Sequence, residues 1–340
     1  MKVVYFSPSL ASDPNHGNAH FLRGVVAELQ ERGHEVTVSS REHGAESLSL
    51  EQELDDADLV LVHELNDPEL VARIGRHRAR HGGYRLLFHD THHRAATAPE
   101  EMSRFDLFAY DGVLASGEVV RRIYLERGWA GRAWTWHEAA DTRVFHPIEH
   151  LEPEADLVWI GNWGDGERSE ELRRFLLKPA RQLRLRGSVH GVGYPRSARF
   201  QIRLAGLRYR DWTPNERVPE LFARHRFTVH VPDRPYVEAL PGIPTIRPFE
   251  ALACGIPLIC SPWDDCEGLF RAEEDYLLAR DCAEMREAMQ AILEFPELAE
   301  KLRQSGLETI RTRHTCAHRV DELLAIDAEL QGAAEAGVAG

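Results

Sequence analysis

Along this chain the apolar residues fall into two alternating textures. Short runs with few polar interruptions, KVVYF (2–6), DLVLVH (58–63), YRLLFH (84–89), DGVLAS (111–116), DLVWIG (156–161) and FTVHV (227–231), read as strands buried on both faces. Between them lie amphipathic stretches, FLRGVVAELQERG (21–33), residues 67–80 and GEVVRRIYLERG (117–128), whose apolar positions recur at helical spacing. HEVTV (34–38) completes the first strand, helix, strand succession, and this order predicts an α/β chain whose opening is doubly wound. There is no G-x-G-x-x-G, so a dinucleotide site has no support.

The pattern is interrupted at residues 148–155, where the charged, Pro-containing HPIEHLEPEAD reads as a connector. Residues 1–150 and 151–330 are expected to be two Rossmann-like domains, a number that the length of 340 residues also suggests. In the second half ELRRFLLKPARQL (171–183) reads as one helix, SVHGVGYP (188–195) as a short strand breaking into a turn, and VPELFARHR as a helix before FTVHV. Successive helices follow Trp263, and the last ten residues, 331–340, carry no packing pattern and are expected to be a disordered tail.

The most informative stretch is GIPTIRPFEALACGIPLICSPW, 242–263. A turn rich in Gly and Pro leads through Thr245, a candidate N-cap, into a short helix that Gly255 ends, and 256–260 read as a buried strand. Pro248 fits only the helix's first turn, where backbone N–H groups have no intrahelical partner and point outward. Such a helix end suits an anion, and Glu250, one turn in, is placed to accept hydrogen bonds from ligand hydroxyls. The ligand so described has a phosphate and a sugar.

Charge and cysteine usage narrow the classes. A formal net charge of −14 argues against nucleic acid as a partner and weakens the case for a broad basic face on anionic lipid. No apolar run approaches the length of a membrane span, and MKVVYFSPSL lacks signal-peptide organisation, so a cytoplasmic protein is expected. The five cysteines form no C-x-x-C pair and are read as reduced, Cys254 as a packed small hydrophobe. Asp56 and Asp58 make a D-x-D, but they lead directly into a strand and read as solvated residues at its entry. In HDTHH, His89, Asp90, His92 and His93 stand at the carboxyl end of a strand, where ligand loops gather. Substrate contact or catalytic base is the favoured reading there. No second cluster completes a metal shell, and no metal is expected.

The run Arg247-x-Phe249-Glu250-Ala251-Leu252-Ala253-Cys254-Gly255-x-Pro257 resembles the donor-site helix of GT-B glycosyltransferases, closest to the CgeB-like branch and more distantly to glycosyltransferase family 4. Ala140, Asp141, Phe145 and Pro147 resemble the end of the N-terminal domain in family-4-like enzymes. The resemblance implies the GT-B architecture, two Rossmann-like domains facing across a cleft, with Gly17 in a loop toward that cleft, the acceptor over the N-terminal half and a nucleotide-sugar donor in the C-terminal half. It implies that Glu250 binds the donor ribose, that Thr245, Arg247 and Phe249 belong to the donor helix, and that Gly161, Asn162 and Arg168 face the donor. An Arg can hold a diphosphate bidentately; Arg168 would otherwise pair with Glu167 or Glu170. Family 4 carries a further Glu in an E-x(7)-E pair, and Gly242 stands in its place.

The reaction implied is metal-independent glycosyl transfer without a cofactor, from a nucleotide-diphosphate sugar to a sugar, lipid-linked or small-molecule acceptor. In an inverting enzyme His16, His20 or His89 would take the acceptor's proton; in a retaining one the donor phosphate would do so. A nucleotide-sugar epimerase of the same fold and a noncatalytic nucleotide or sugar binder are the rival readings.

Overall fold

The computed structural model describes residues 1–8, 19–39, 50–164 and 166–338. The apolar runs of the first half become β1 (Lys2–Phe6), β2 (Glu35–Ser39), β3 (Leu59–His63), β4 (Arg85–Asp90) and β5 (Gly112–Ala115), joined by a short β6 (Ala133–Thr135). They form one parallel sheet in the order β2-β1-β3-β4-β5-β6. All five residues of β3 are buried, as a central strand covered on both faces requires. Register places His63 of β3 beside His89 of β4, at the carboxyl end of the sheet.

The helices follow the amphipathic stretches: α1 (Ala19–Glu31), α2 (Pro68–His81) and α3 (Glu118–Glu126). Helix α2 starts where its sequence says it should. The Asp67 side chain accepts from the Glu69 N–H at 2.8 Å, Pro68 sits in the first turn, and Gly82 ends the helix at φ 66°.

The chain divides into two units, Met1–Ala139 with Cys316–Gly340, and Ala140–Thr315. The division therefore falls before residue 150, and the end of the chain returns to the first unit. The reason is a long helix over Cys316–Val338, whose Val320, Leu323, Ile326 and Leu330 are buried. Its Asp327 takes the Arg85 guanidinium through two hydrogen bonds of 2.6 and 3.1 Å, and the Arg319 carbonyl accepts the Trp136 indole N–H at 2.8 Å. Helix thus continues through residues 331–338, where the sequence shows no pattern.

The second unit has its own parallel sheet, β7 (Ala155–Ile160), β8 (Gly187–His190), β9 (Leu207–Arg210), β10 (His225–His230), β11 (Leu258–Cys260) and β12 (Leu277–Leu278), in the order β12-β11-β10-β7-β8-β9. Its core gathers Leu157, Trp159, Phe227, Val229 and Ile259 against Phe175, Leu176 and Met285. The stretch 171–183 is not one helix. α4 (Gly166–Leu172) passes through a π turn, Arg173–Leu177, into α5 (Lys178–Leu183). Pro179 lacks an N–H and its ring would meet the carbonyl of Phe175, so the turn widens. α6 (Arg196–Leu204), α7 (Ile246–Cys254), α8 (Cys282–Glu294) and α9 (Pro296–Arg313) follow.

In each parallel sheet every strand ends at the same edge, and the loops leaving that edge carry the polar groups of interest.

Candidate functional site

Helix α7 ends as its sequence predicts. Gly255 adopts the left-handed conformation at φ 69° and ψ 28°, and its N–H closes on the carbonyls of Ala251 and Leu252. At the other end Thr245 has extended N-cap geometry, but its hydroxyl makes no capping bond. It pairs instead with Nε2 of His230, 3.0 Å away at the end of β10. The first-turn amides, which have no intrahelical acceptors, are thus left uncapped by Thr245.

His230 is only 2% exposed, and no described residue partners its Nδ1. Burial, followed by the positive charges of Arg168 and Arg247, pushes it down to about 3, so the ring is neutral. Two guanidiniums therefore stand close to this imidazole at the helix start. Arg247 pairs with Glu250, and Arg168 pairs with Asp233 from the loop after β10. Arg168 also lies over the Trp159 ring at 5.7 Å and donates from Nε to the Asn162 carbonyl at 3.2 Å. The Trp159 indole N–H donates to the Tyr194 hydroxyl, which donates to the Gly161 carbonyl at 2.7 Å, so the end of β7 is fixed by its neighbours.

Glu250 is 1% exposed, and burial lifts it to about 7 even though Arg247 pulls it down. Arg168, His230, Arg247, Glu250 and the start of α7 thus combine cations and uncapped amides, the chemistry that suits an anion, and each arginine is paired with a carboxylate.

Other residues of the predicted donor site have different surroundings. Phe249 is core: its ring packs on Phe270 at 5.0 Å and His314 at 5.5 Å. Asn162 accepts the Val192 N–H at 3.2 Å and ties the loops after β7 and β8 together. At Gly161 a Cβ would lie 2.7 Å from the Trp159 ring. Gly242 has φ +87°, and a Cβ there would meet the Glu267 side chain at 2.6 Å. The positive φ favours glycine at that point, and any side chain there would also have to displace Glu267.

In the first unit His89 is not at the surface. It lies inside β4, fully buried, with its Nδ1 2.5 Å from the Tyr5 hydroxyl and its ring edge-on to Trp136 at 4.8 Å and to His63 at 5.3 Å. Burial drives its pKa well below the ordinary value, which keeps it neutral. His20 is buried too, at the start of α1, while His16 and Gly17 lie outside the described residues. His93 bonds Thr97 at 2.7 Å in an exposed local turn.

His92 is the member of HDTHH at the rim. Its side chain is 22% exposed and its Nδ1 is held by the carboxylate of Glu64, which is fully buried. Glu64, just past β3, accepts from Arg94 Nη2 at 2.6 Å and Nε at 3.1 Å and from the Thr91 N–H at 3.0 Å. Burial raises its pKa, but His92, His63 and Arg94 outweigh burial and hold it well below the usual range. Its neighbour Asp90 moves the other way, raised by burial and by Glu64, and takes the Tyr124 hydroxyl at 2.8 Å. These effects thus push the two carboxyls apart, Glu64 toward the ionised form and Asp90 toward the protonated one. Sequence reasoning passed over Glu64; the available signal was a single acidic residue placed directly after a buried parallel strand. Among the described residues no group of three or more His, Cys, Asp and Glu side chains is arranged to hold a metal.

Residues 168–325 match the model of a family described as glycosyl transferase-like. Comparison with curated proteins by sequence finds no match. Among solved structures the chain is similar to sucrose-phosphate synthase from Thermosynechococcus elongatus, with TM-score 0.68 and 15% identity over 98% of this chain and 100% of that one. It is similar to Anabaena HepE in complex with UDP and glucose, with TM-score 0.65 and 12% identity over 96% and 99%. It is also similar to a DNA-modifying β-glucosyltransferase studied with and without uridine diphosphoglucose, with TM-score 0.67 and 13% identity over 97% and 100%. At such identities the likeness is one of fold. The chain has the GT-B fold, and its residues 168–325 are similar to the glycosyl transferase-like family.

Proposed function

We propose that this protein transfers a sugar from a nucleoside-diphosphate sugar to an acceptor hydroxyl, with the donor on the second unit and the acceptor on the first. The observation that carries this reading is the grouping of Arg168, Arg247 and neutral His230 at the start of α7, with Glu250 one turn in. As the bond between the sugar C1 and the phosphate oxygen breaks, negative charge builds on the leaving diphosphate. The two guanidiniums and the first-turn amides receive that charge, the arginines exchanging carboxylate for phosphate partners. With Arg247 drawn to phosphate, Glu250 is released to accept the ribose hydroxyls.

On the acceptor side the dyad of His92 and Glu64 supplies a base. The acceptor O–H gives its proton to His92, the new bond forms from that oxygen to C1, and the diphosphate leaves with the bonding pair. Glu64 fixes the imidazole and stabilises it when protonated, and Arg94 fixes Glu64. His89, enclosed among aromatic rings, supports the strand under this dyad. Transition-state charge is met by these side chains and amides, and we propose that transfer proceeds without a metal.

HepE in complex with UDP and the β-glucosyltransferase with uridine diphosphoglucose make uridine nucleotides the first probes. A thermal-shift series of nucleoside diphosphates and their sugars tests the donor site, because a ligand bound to the folded state raises the melting temperature by mass action. Release of nucleoside diphosphate on adding acceptors, in excess EDTA, tests the reaction. No shift with any nucleotide, or activity that EDTA abolishes and a divalent ion restores, overturns the respective part.

A further inference from the structure

The charge of this chain is unevenly distributed. Although the whole carries −14, residues 172–210 contain eleven Lys and Arg and no Asp or Glu. Elsewhere arginines are commonly ion-paired, as Arg32, Arg85, Arg94, Arg121, Arg224 and Arg303 are. None of the eleven has an ion pair among the described residues. Arg173 donates to Gln201 at 2.7 Å, which ties the π turn to α6. Between these elements lies a groove of about 780 Å³, whose lining has four cations, Arg173, Arg174, Lys178 and Arg181, against one carboxylate, Glu170, together with Leu204. The same run forms β9, the edge strand of its sheet, whose Arg208 and Arg210 are exposed.

Helix α6 adds a second feature. It buries Ala198 and Ile202 and presents Arg196, Arg199 and Arg203 to solvent, yet Phe200 and Leu204 stand on that exposed side at 61% and 55% exposure. Large apolar side chains set among unpaired cations are the chemistry of a surface that meets a bilayer, where cations reach headgroup phosphates and apolar groups enter the acyl boundary. A nucleic acid would use the cations but would gain nothing from Leu204, and as an extended polyanion it would be repelled by the acidic remainder of the chain. A membrane contact is local, and charges beyond about 8 Å are screened at physiological salt.

We propose that the face formed by the Arg173–Arg181 groove and α6 docks on an anionic phospholipid bilayer. This is independent of the catalytic reading, and the test needs no substrate. The full chain is sedimented with vesicles of phosphatidylcholine, alone or with about one third phosphatidylglycerol, at about 0.1 M salt. It should bind the anionic vesicles and not the neutral ones. Neutralising Arg173, Lys178 and Arg181 to Ala should weaken binding roughly a hundredfold, since each cation near an anionic surface is worth roughly fivefold. Phe200→Ser with Leu204→Ser keeps every charge and should weaken binding by about tenfold or more. All five side chains are solvent-facing, so unchanged melting temperatures verify the fold. Absence of binding to anionic vesicles overturns the proposal. So does an unchanged affinity of the Ser variant together with displacement of the protein from vesicles by duplex DNA, which would mark a polyanion site instead.

Discussion

Arg247 and Glu250 close an ion pair across one turn of α7, with the carboxylate 1% and the guanidinium 19% exposed. Each would serve a nucleotide differently, Arg247 through phosphate and Glu250 through ribose. Removing Glu250 should therefore lower affinity in a manner that depends on the ribose. Glu250→Ala should weaken binding of the preferred nucleoside diphosphate by about ten- to a hundredfold, the loss of a charge-assisted hydrogen bond of roughly 1.5–3 kcal/mol. A 2′,3′-dideoxy nucleotide should bind both proteins almost equally. If calorimetry shows the same loss for both nucleotides, Glu250 serves only to hold Arg247.

The raised pKa of Glu250 makes a separate prediction about stability. Its folded value of about 7 lies above the ordinary 4.5, so the fold favours the protonated form. That contribution is fully present below about pH 4.5 and is lost as pH rises through about 7, an effect on the order of 3 kcal/mol. Glu250→Gln mimics the protonated acid. It should match wild type near pH 4.5 and be the more stable protein at pH 8 in denaturant titrations. A Gln variant that is less stable at pH 8 would mean that the Arg247 pair outweighs burial.

Much of this was legible beforehand because it is local. Strands β1, β3, β4, β5, β7 and β10 are dense apolar runs, and α7 carries its own boundaries in Thr245, Pro248 and Gly255. What escaped is set by contacts distant in sequence. β6, β9 and β12 are too short or too charged to show a pattern, and pair only because a neighbouring strand is there. The return of the last helix depends on Arg85 and Trp136 meeting residues far along the chain. In the site, residue type pointed to Glu250, Arg247 and Arg168. It did not tell Phe249, which faces the core, from its neighbours, and it ranked His89 above His92 because β4 runs one residue past His89 and encloses it. The pairings of Arg168 with Asp233 and of His92 with Glu64 join loops from different strands and have no sequence signature.

The histidines of the first unit can be told apart by what each substitution damages. His92→Ala removes the proposed base and should cut turnover by about a hundredfold or more, with nucleotide affinity and melting temperature near wild type. Glu64→Gln should also slow turnover at unchanged nucleotide affinity, because the imidazole loses the charge that stabilises its protonated form. His89→Ala leaves a cavity among Tyr5, Trp136 and His63 and should cost about 3 kcal/mol of stability, with turnover per folded molecule far less affected. Kinetics that put the large turnover loss on His89 and spare His92 would reverse the assignment.

Gly242 offers the last test, since the E-x(7)-E pattern of family 4 invites restoring the other carboxylate. The structure argues against a simple restoration. The backbone at Gly242 has φ +87°, its N–H donates to the Asp264 carbonyl at 2.7 Å, and the Glu267 side chain fills the space that a Cβ would enter. A left-handed conformation costs a residue with a side chain roughly 1–2 kcal/mol. Gly242→Ala should therefore lower stability by about that amount, and Gly242→Glu by more, since it adds a carboxylate against Glu267. Neither should raise nucleotide-sugar turnover. Denaturant midpoints and initial rates for the two variants check this, and a stable, faster Gly242→Glu protein would show that the turn can be rebuilt around a second carboxylate.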